Sequence, residues 1–259
     1  MTELSSREYE FLRESNAIED IVNIDYRVTG NAELDRGHVG AYAEAQEKAR
    51  RRVGLTTDDI CRWQRWITSE QIEFAHSLPA GGSGTLRSPR YPHDVMVGSH
   101  VAPSFEDVPQ LIDGLLADLN ARVASVGQTP ADFEAADALG ELFQRFEAIH
   151  PFVDGNGRTG RLLANYVATI HGLPILIFRV SERESFYRAH RSKMAMRVFM
   201  ADKIREAIYW PGRGVLERQA VGMSSDIYDG LVIERHALLA KQKAWLAASV
   251  QGTTASRDG

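Results

Sequence analysis

Two stretches of apolar residues at helical spacing, joined by a glycine-rich segment over residues 150–161, constrain the fold of this chain more than any other feature. Apolar side chains that recur every three or four residues predict an amphipathic helix on each side of that segment. The first helix is predicted over residues 133–149, and the second is predicted to end near residue 171, with Pro174 just beyond it. The apolar positions are Leu139, Leu142, Phe143, Phe146 and Ile149, then Leu162, Leu163, Tyr166, Val167 and Ile170.

Most of the remaining chain also shows helical periodicity. Further helices are predicted over residues 5–23, 58–78, 105–120, 182–209 and 229–248. We therefore expect a mainly helical, all-α fold, divided into an N-terminal helical region, a core, and a C-terminal helical extension with a tail. These regions are predicted over residues 1–78, 79–200 and 201–259.

Residues 86–100 differ from the helical segments around them. Prolines and polar turn residues around positions 90–94 are followed by Val95, Met96 and Val97. This pattern predicts a short β-hairpin, which would form a flap on the helical core.

The composition is that of a soluble globular protein in a reducing compartment. The chain has 259 residues, 44% of them apolar, a formal charge of −5 and a single cysteine, Cys61. The mild acidic balance argues against nucleic acid as a partner, and one cysteine cannot form an intramolecular disulfide. The N-terminus lacks a signal-peptide pattern, and no aliphatic stretch approaches the length of a membrane span. We expect a cytoplasmic protein without membrane contact.

The segment between the two central helices has a backbone suited to binding an anion. Pro151 disfavours helical geometry at His150, so the first helix ends there and the imidazole lies at its exit. Gly155 and Gly157 allow the backbone to turn and to approach a ligand closely. The next helix begins near residues 156–158, and its free N–H groups and positive dipole end favour negative charge.

The side chains of the same segment suit phosphate chemistry. Arg158 and Arg161 lie three residues apart in the first turn of the second helix, and arginine binds phosphate through paired donors. Asp154 is a hard oxygen ligand of the kind that shares Mg²⁺ with a bound phosphate. Together with the His150 imidazole, these residues indicate phosphoryl or nucleotidyl transfer.

Residues 155–160 also match GxGxxG, the pattern of dinucleotide-binding folds. That interpretation requires a β-strand before the glycines. The preceding segment has helical periodicity instead, and the chain contains no GxxxxGK[ST] motif, so we favour neither a Rossmann fold nor a P-loop.

Residues 150–161 match the signature HPFx[DE]GNGRxxR at every specified position, and on this basis the chain resembles the Fic family. Residues 84–109 resemble the flap of that family, and the resemblance extends over residues 10–200. It implies the all-helical Fic fold and a protein adenylyltransferase, a nucleotidyltransferase that moves AMP from ATP to a Ser, Thr or Tyr hydroxyl of a target protein. It also implies Mg²⁺ as cofactor and ATP as co-substrate.

The resemblance assigns a role to each residue of the signature. His150 would act as general base, Asp154 would hold Mg²⁺, and Arg161 would hold the γ-phosphate. The other phosphate-binding residues would be Gly155, Asn156, Gly157 and Arg158. The Doc branch, which phosphorylates its target, has lysine at the position of Gly157, so glycine there favours AMP transfer.

Near the N-terminus, Ser15 and Glu19 resemble the family's inhibitory motif [ST]xxxE[GN]. The resemblance implies a helix in the same chain whose Glu19 pairs with Arg161 and blocks the productive pose of the γ-phosphate. The sequence departs from the motif at its last position, which is Asp20.

Several alternatives remain open from the sequence. Arg87, Val95, Met96 and Val97 are candidates for docking the target by strand pairing, or they simply form a structural hairpin. The same site would also serve removal of AMP, transfer from another donor, or ATP sensing without transfer. A toxin controlled by a separate antitoxin is less favoured, because Glu19 supplies an internal brake. Expected partners are ATP and a protein substrate, with self-modification and a homo-oligomer as further possibilities.

Overall fold

The computed structural model describes residues 4–21, 37–74, 78, 81–90, 95–97, 100–125 and 132–209. The chain divides into two compact units, residues 1–209 and 210–259, and the second unit lies wholly outside the described residues. The predicted helix over 229–248 and the predicted tail therefore also lie outside them. The division into regions 1–78, 79–200 and 201–259 stays a prediction.

The described part of the chain is mainly helical, which confirms the predicted fold class. None of its helices combines the length and the apolar character needed to cross a bilayer. A 3₁₀ turn over Val180–Glu182 precedes the seventh helix. The helices are α1 (Ser6–Ala17), α2 (Gly37–Arg50), α3 (Thr57–Phe74), α4 (Val108–Ser125), α5 (Asp132–Ile149), α6 (Asn156–Ile170), α7 (Arg183–Ala189) and α8 (Lys193–Tyr209).

Helix α6 lies at the centre of the fold. Nearly all of its residues are buried, including the polar side chains of its first turn. A helix that is buried on all sides must be enclosed by others, and α2, α3 and α5 pack against it. Helix α8 packs against α5 as well. The loop between α5 and α6 is thus anchored at the start of a buried helix.

Three predicted helices have different bounds in the structure. Helix α1 ends at Ala17 rather than near residue 23, and α4 continues to Ser125, where buried Val123 extends its apolar face. The single helix predicted over 182–209 is two helices, because the helical geometry is interrupted at residues 190–192 between α7 and α8. The ends of α5 and α6 fall where Pro151 and Gly172 predict them.

Helix α2 was not predicted from the sequence. Its buried face is made mainly of the small residues Ala41, Ala45 and Ala49, spaced four apart, with Tyr42 between them. Alanine contributes little to an apolar pattern, although it is the best helix former and lets two helices pack closely.

The predicted hairpin is present as two short strands. Strands β1 (Met96–Val97) and β2 (His100–Val101) pair antiparallel, with Met96 opposite Val101. Of the turn predicted around positions 90–94, residues 91–94 lie outside the described residues. The helix α5, not a strand, precedes the GxGxxG segment, so the structure lacks the context of a dinucleotide fold there.

Candidate active site

The loop from residue 150 to residue 155 needs two left-handed backbone positions. Gly155 has φ of +79° and precedes α6, and a Cβ there would lie 3.0 Å from the Cγ2 of Thr68. His150 has φ of +48°, which is uncommon for a residue with a side chain. The sharp turn at His150 follows α5 directly and brings the imidazole back over the end of that helix.

Asn156 closes this loop through its side chain. Its Oδ1 accepts a hydrogen bond from the backbone N of Phe152, and its Nδ2 donates to the Phe152 carbonyl, both at 2.9 Å. The Asn156 side chain is buried. It therefore holds the shape of the loop and is not free to bind a ligand. The anion-binding element expected of this segment is then the set of backbone N–H groups at the N-terminus of α6.

The imidazole of His150 is shielded and uncharged near neutral pH. Burial lowers the pKa of His150 to about 4, and the positive charge of Arg87 acts in the same direction. The His150 Nδ1 lies 3.8 Å from the Oε2 of Glu147, one turn earlier on α5. Burial raises the pKa of Glu147 to about 8, so at neutral pH most of this carboxyl is protonated. A neutral imidazole can accept a proton.

A carboxylate already occupies the N-terminus of α6. The Oε1 of Glu19 accepts a hydrogen bond from Arg161 Nη2 at 2.8 Å, and it would lie 2.5 Å from a Cβ built on Gly157. Only glycine permits that approach. Arg161 is 1% exposed, and its Nε donates to Ser15 Oγ at 3.0 Å while Nη2 donates to the Ser15 carbonyl at 2.7 Å. The predicted motif residues Ser15 and Glu19 thus meet Arg161.

The other arginine of the segment, Arg158, is directed toward α3. Arg158 is also 1% exposed, so neither arginine is a solvated surface charge. Its Nη2 donates to the Oε1 of Gln71, and Nη1 donates to the Ile67 carbonyl at 3.4 Å. Gln71 in turn donates from Nε2 to Asp154 Oδ2 at 2.6 Å. The Gln71 amide therefore links the arginine to the predicted metal ligand.

The surroundings of Asp154 fit a magnesium ion that is shared with phosphate. Its side chain is 41% exposed, and the hydrogen bonds from Gln71 Nε2 and the Gly155 N–H orient the carboxylate at the mouth of the loop. Over the described ranges, no three His, Cys, Asp or Glu side chains converge to hold a metal. Mg²⁺ is commonly bound by one or two carboxylates together with substrate phosphates, and Asp154 offers such a ligand.

The turn after α1 accommodates Asp20 at the last position of the predicted inhibitory motif. The Ile21 N–H donates to the Asn16 carbonyl and the Asp20 N–H donates to that of Ala17, a Schellman ending in which Asp20 is left-handed with φ of +59°. Glycine and asparagine adopt this conformation most readily. Asp20 adopts it too, and its exposed carboxylate lies 3.4 Å from Arg183.

Two substitutions of Asp20 should therefore differ in stability because of the backbone conformation at this position. We expect D20G to be more stable than D20A by about 1 kcal/mol, because both lose the carboxylate but only alanine keeps a Cβ at positive φ. This difference corresponds to about 2–4 °C in Tm for a domain of this size. Thermal unfolding of the two variants, with hydrogen exchange of the α1 amides, measures it. Equal stability would contradict the left-handed turn.

Arg87 has a different position from the one expected of a docking residue. It is 4% exposed, and its guanidinium donates to backbone carbonyls at the end of α5 instead of lying on the flap surface. Residues 95–97 do belong to the hairpin, where the Val95 carbonyl accepts from the Ala102 N–H at 2.8 Å.

Sequence reasoning missed three polar residues of the site. Gln64 donates from Nε2 to the Asp154 carbonyl at 2.9 Å, Gln71 binds the Asp154 side chain, and Glu147 lies beside His150. A signal for the two glutamines was present, since Gln64, Thr68 and Gln71 follow helical spacing next to the apolar face of α3. A buried polar row of this kind needs partners on a neighbouring element.

Comparisons with known proteins agree with this geometry. The sequence model of the Fic/DOC family matches residues 54–168, which include the flap and the whole loop. A protein named Protein adenylyltransferase Fic from Nematostella vectensis is 29% identical over 194 residues, 69% of this chain and 42% of that protein. A protein of the same name from Drosophila melanogaster is 30% identical over 56% of this chain and 25% of its own length. The chain thus spans less than half of each of these relatives.

Solved structures show the same fold. A Fic-domain-containing signaling protein from Bacteroides thetaiotaomicron has a TM-score of 0.51 at 19% identity, covering 76% of this chain and 85% of that one. Fic-1 from C. elegans has a TM-score of 0.54 at 16% identity, covering 80% and 64%. Given the matched domain, the shared fold and the complete signature on the loop between α5 and α6, residues 54–168 of this chain form a domain of the Fic/DOC family.

Proposed function

We propose that this protein is an adenylyltransferase that moves AMP from ATP to a hydroxyl group of a protein and is held inactive by Glu19. The names of its relatives support the class of reaction. The observation that carries the proposal is the Glu19 carboxylate at the N-terminus of α6, bonded to buried Arg161. An internal anion at this place indicates a site built for a negatively charged group.

The transfer would proceed by attack of the target hydroxyl oxygen on the α-phosphorus of ATP. The new oxygen–phosphorus bond forms as the bond to the β-phosphate breaks, and pyrophosphate leaves. His150 would take the hydroxyl proton at Nε2, because Nδ1 faces Glu147. The low pKa of His150 leaves one ring nitrogen without a proton at neutral pH, and in the tautomer with the proton on Nδ1 this is Nε2. Arg161 and the N–H groups of α6 would hold the phosphates in place.

Asp154 would be the protein ligand of Mg²⁺, with phosphate oxygens completing the coordination. When bound, the ion would neutralise charge on the phosphates of ATP. Gln71 would then act as a support, since it orients the Asp154 carboxylate and the Arg158 guanidinium at the same time.

Glu19 would act as a brake because it occupies the position that we propose for the γ-phosphate. A group of buried and half-buried charges, which we call the α1 clasp, would hold α1, and with it Glu19, in place. Arg179 pairs with Glu10 on α1 and with Glu206 on α8. Lys203, 2% exposed, pairs with Glu206 and with Glu182. Release of the brake would require this clasp to open.

Removing the central arginine of the clasp should therefore loosen α1. We expect R179A to cost about 3–5 kcal/mol locally, because Glu10 would remain buried without its ion-pair partner while Glu206 would keep only Lys203. The expected result is faster hydrogen exchange over residues 6–17 and a higher rate of AMP transfer. The control is R183A, since the Arg183–Asp20 pair is exposed. If hydrogen exchange in α1 of R179A is unchanged, the clasp does not hold α1 in place.

We further propose that residues 95–97 of the flap align the target segment by strand pairing, a mode that reads backbone rather than sequence. Each strand of a two-stranded ribbon has one edge that its partner does not use, and β2 is exposed at His100 and Val101. A segment of a second copy of this chain would fit the same edge, which would give self-modification.

The proposed reaction is tested by following each phosphate of ATP separately. The E19G variant would be incubated with ATP labelled at either the α- or the γ-phosphorus, alone and with a cell lysate, and protein-bound label would be measured. We expect label from the α-phosphorus only. Label from the γ-phosphorus would mean phosphoryl transfer, and a panel of other nucleotides with mass detection identifies a different donor.

A further inference from the structure

The guanidinium of Arg87 lies against the turn that carries His150. Its Nε donates to the carbonyl oxygen of His150 at 2.8 Å, and its Nη2 donates to that of Ile149 at 3.1 Å. The backbone N–H of Arg87 donates to the carbonyl oxygen of Pro151 at 2.8 Å. One residue therefore binds three consecutive carbonyl groups, centred on His150.

The turn held by these bonds needs support. His150 has φ of +48°, a conformation that is strained for any residue with a Cβ. The carbonyl groups at the end of α5 also lack helical partners and carry partial negative charge. The Arg87 guanidinium supplies both hydrogen-bond donors and positive charge, and it is buried where water cannot substitute for it.

Arg87 also connects this turn to the base of the flap. Its Nη2 donates to the carbonyl oxygen of Pro103, just after β2, at 2.7 Å. A second link runs from β2 to the end of α5, where His100 Nε2 lies 3.0 Å from the Ala148 carbonyl. The position of the flap and the position of the imidazole are thus set by the same side chain.

We propose that Arg87 is a positioning residue of the transfer reaction, whose guanidinium fixes the backbone of His150 and so aims the imidazole between the N-terminus of α6 and the flap. This inference rests on the proposed function. It requires arginine, because the planar fork reaches several carbonyl groups at once, whereas the ammonium group of lysine is a single point charge.

The charged groups around the imidazole come from several elements. Burial and then Arg87 lower the pKa of His150, while the Glu147 backbone carbonyl on α5, Asp154 on the loop and Glu19 after α1 act to raise it. Removing the guanidinium takes away the cation and leaves the burial, so the pKa of His150 should rise. Because His150 must be neutral to act as a base, the transfer rate of the variant should be lost on acidification at a higher pH than that of the parent.

The test compares R87Q and R87K in the E19G background with R90Q, which removes an exposed arginine from the same segment. Transfer rates, the KM for ATP and the pKa of His150, measured by NMR titration of its ring, are the three readouts. We expect kcat of R87Q to fall about 10- to 100-fold, because small displacements of a catalytic group cost rates of this order. The KM for ATP should stay within about twofold, and the pKa of His150 should rise.

R87K keeps the positive charge of Arg87 but removes the planar guanidinium with its several donors. We expect its kcat to fall as in R87Q while the pKa of His150 stays near that of the parent, and R90Q should match the parent in every readout. If R87K and R87Q fold and keep the parent's kcat and His150 pKa, the inference is overturned. Should R87Q not fold, R87K decides by the same readouts, and unfolding of R87K would overturn it as well, since Arg87 would then serve folding.

Failure of the proposed function would be recognised separately. In that case the E19G parent itself would transfer no AMP from ATP. The NMR titration would still show whether Arg87 controls the His150 imidazole, because it needs no turnover.

Discussion

The E19G variant is expected to transfer AMP about 5- to 150-fold faster than the native chain, the usual range of coupling between two competing interactions. Glu19 now holds the N-terminus of α6 and the Arg161 Nη2, and its removal leaves both to the triphosphate of ATP. The measurement is protein-bound label from ATP labelled at the α-phosphorus, on the chain itself and on the proteins of a lysate, at matched ATP and Mg²⁺ concentrations.

Two glutamine variants control this experiment. E19Q keeps the size of the side chain and removes its charge, so we expect it to activate as well, although less than E19G. E184Q removes an exposed carboxylate from α7 and should leave the rate unchanged. If E19G and E19Q both transfer AMP at the rate of the native chain, the Glu19 carboxylate does not restrain the site.

The H150A substitution in the E19G background should reduce transfer by about 10²–10⁴, the contribution typical of a general base. Binding of ATP, measured by calorimetry, should stay close to that of E19G, because the imidazole is not among the groups proposed to hold phosphate. H171N removes an imidazole at the far end of α6 and serves as the matched control. A rate for H150A near that of its parent would remove His150 from the reaction.

The same histidine predicts the pH dependence. Burial lowers the pKa of His150 to about 4, so the base is neutral from there upward. The rate should thus be lost only as the pH falls through about 4, not near the ordinary value of about 6.5. The rate of E19G between pH 4 and pH 8, with folding followed by circular dichroism, checks this. Loss of the rate near 6.5 would mean that the imidazole is more exposed to water than described.

The active loop could be predicted from the sequence because its chemistry is local. The residues of the signature are consecutive, and Pro151 and the glycines dictate where α5 ends and α6 begins. The helices on either side carry strong apolar patterns, so their positions follow from periodicity alone. The pairing of Glu19 with Arg161 came from family resemblance, since no spacing rule connects residues so far apart in the chain.

The partners of the residues that support the loop could not be predicted, because these partners are distant in sequence. Gln71 reaches Asp154 and Arg158 from α3, and Arg87 reaches His150 from the segment before the flap. A single buried glutamine or arginine gives no indication of which carbonyl or carboxylate it will meet. Helix α2 was missed for another reason, since a face of alanines is apolar too weakly to stand out.

The central claim is that the turn between α5 and α6 holds a nucleoside triphosphate where Glu19 now lies. A crystal structure of the E19G, H150A double variant with ATP and Mg²⁺ tests it most directly, because the nucleotide would persist without turnover. We predict the γ-phosphate within hydrogen-bond distance of Arg161, Mg²⁺ bound to Asp154, and the α-phosphorus facing residue 150. A nucleotide bound elsewhere, or none at saturating ATP, would contradict the account.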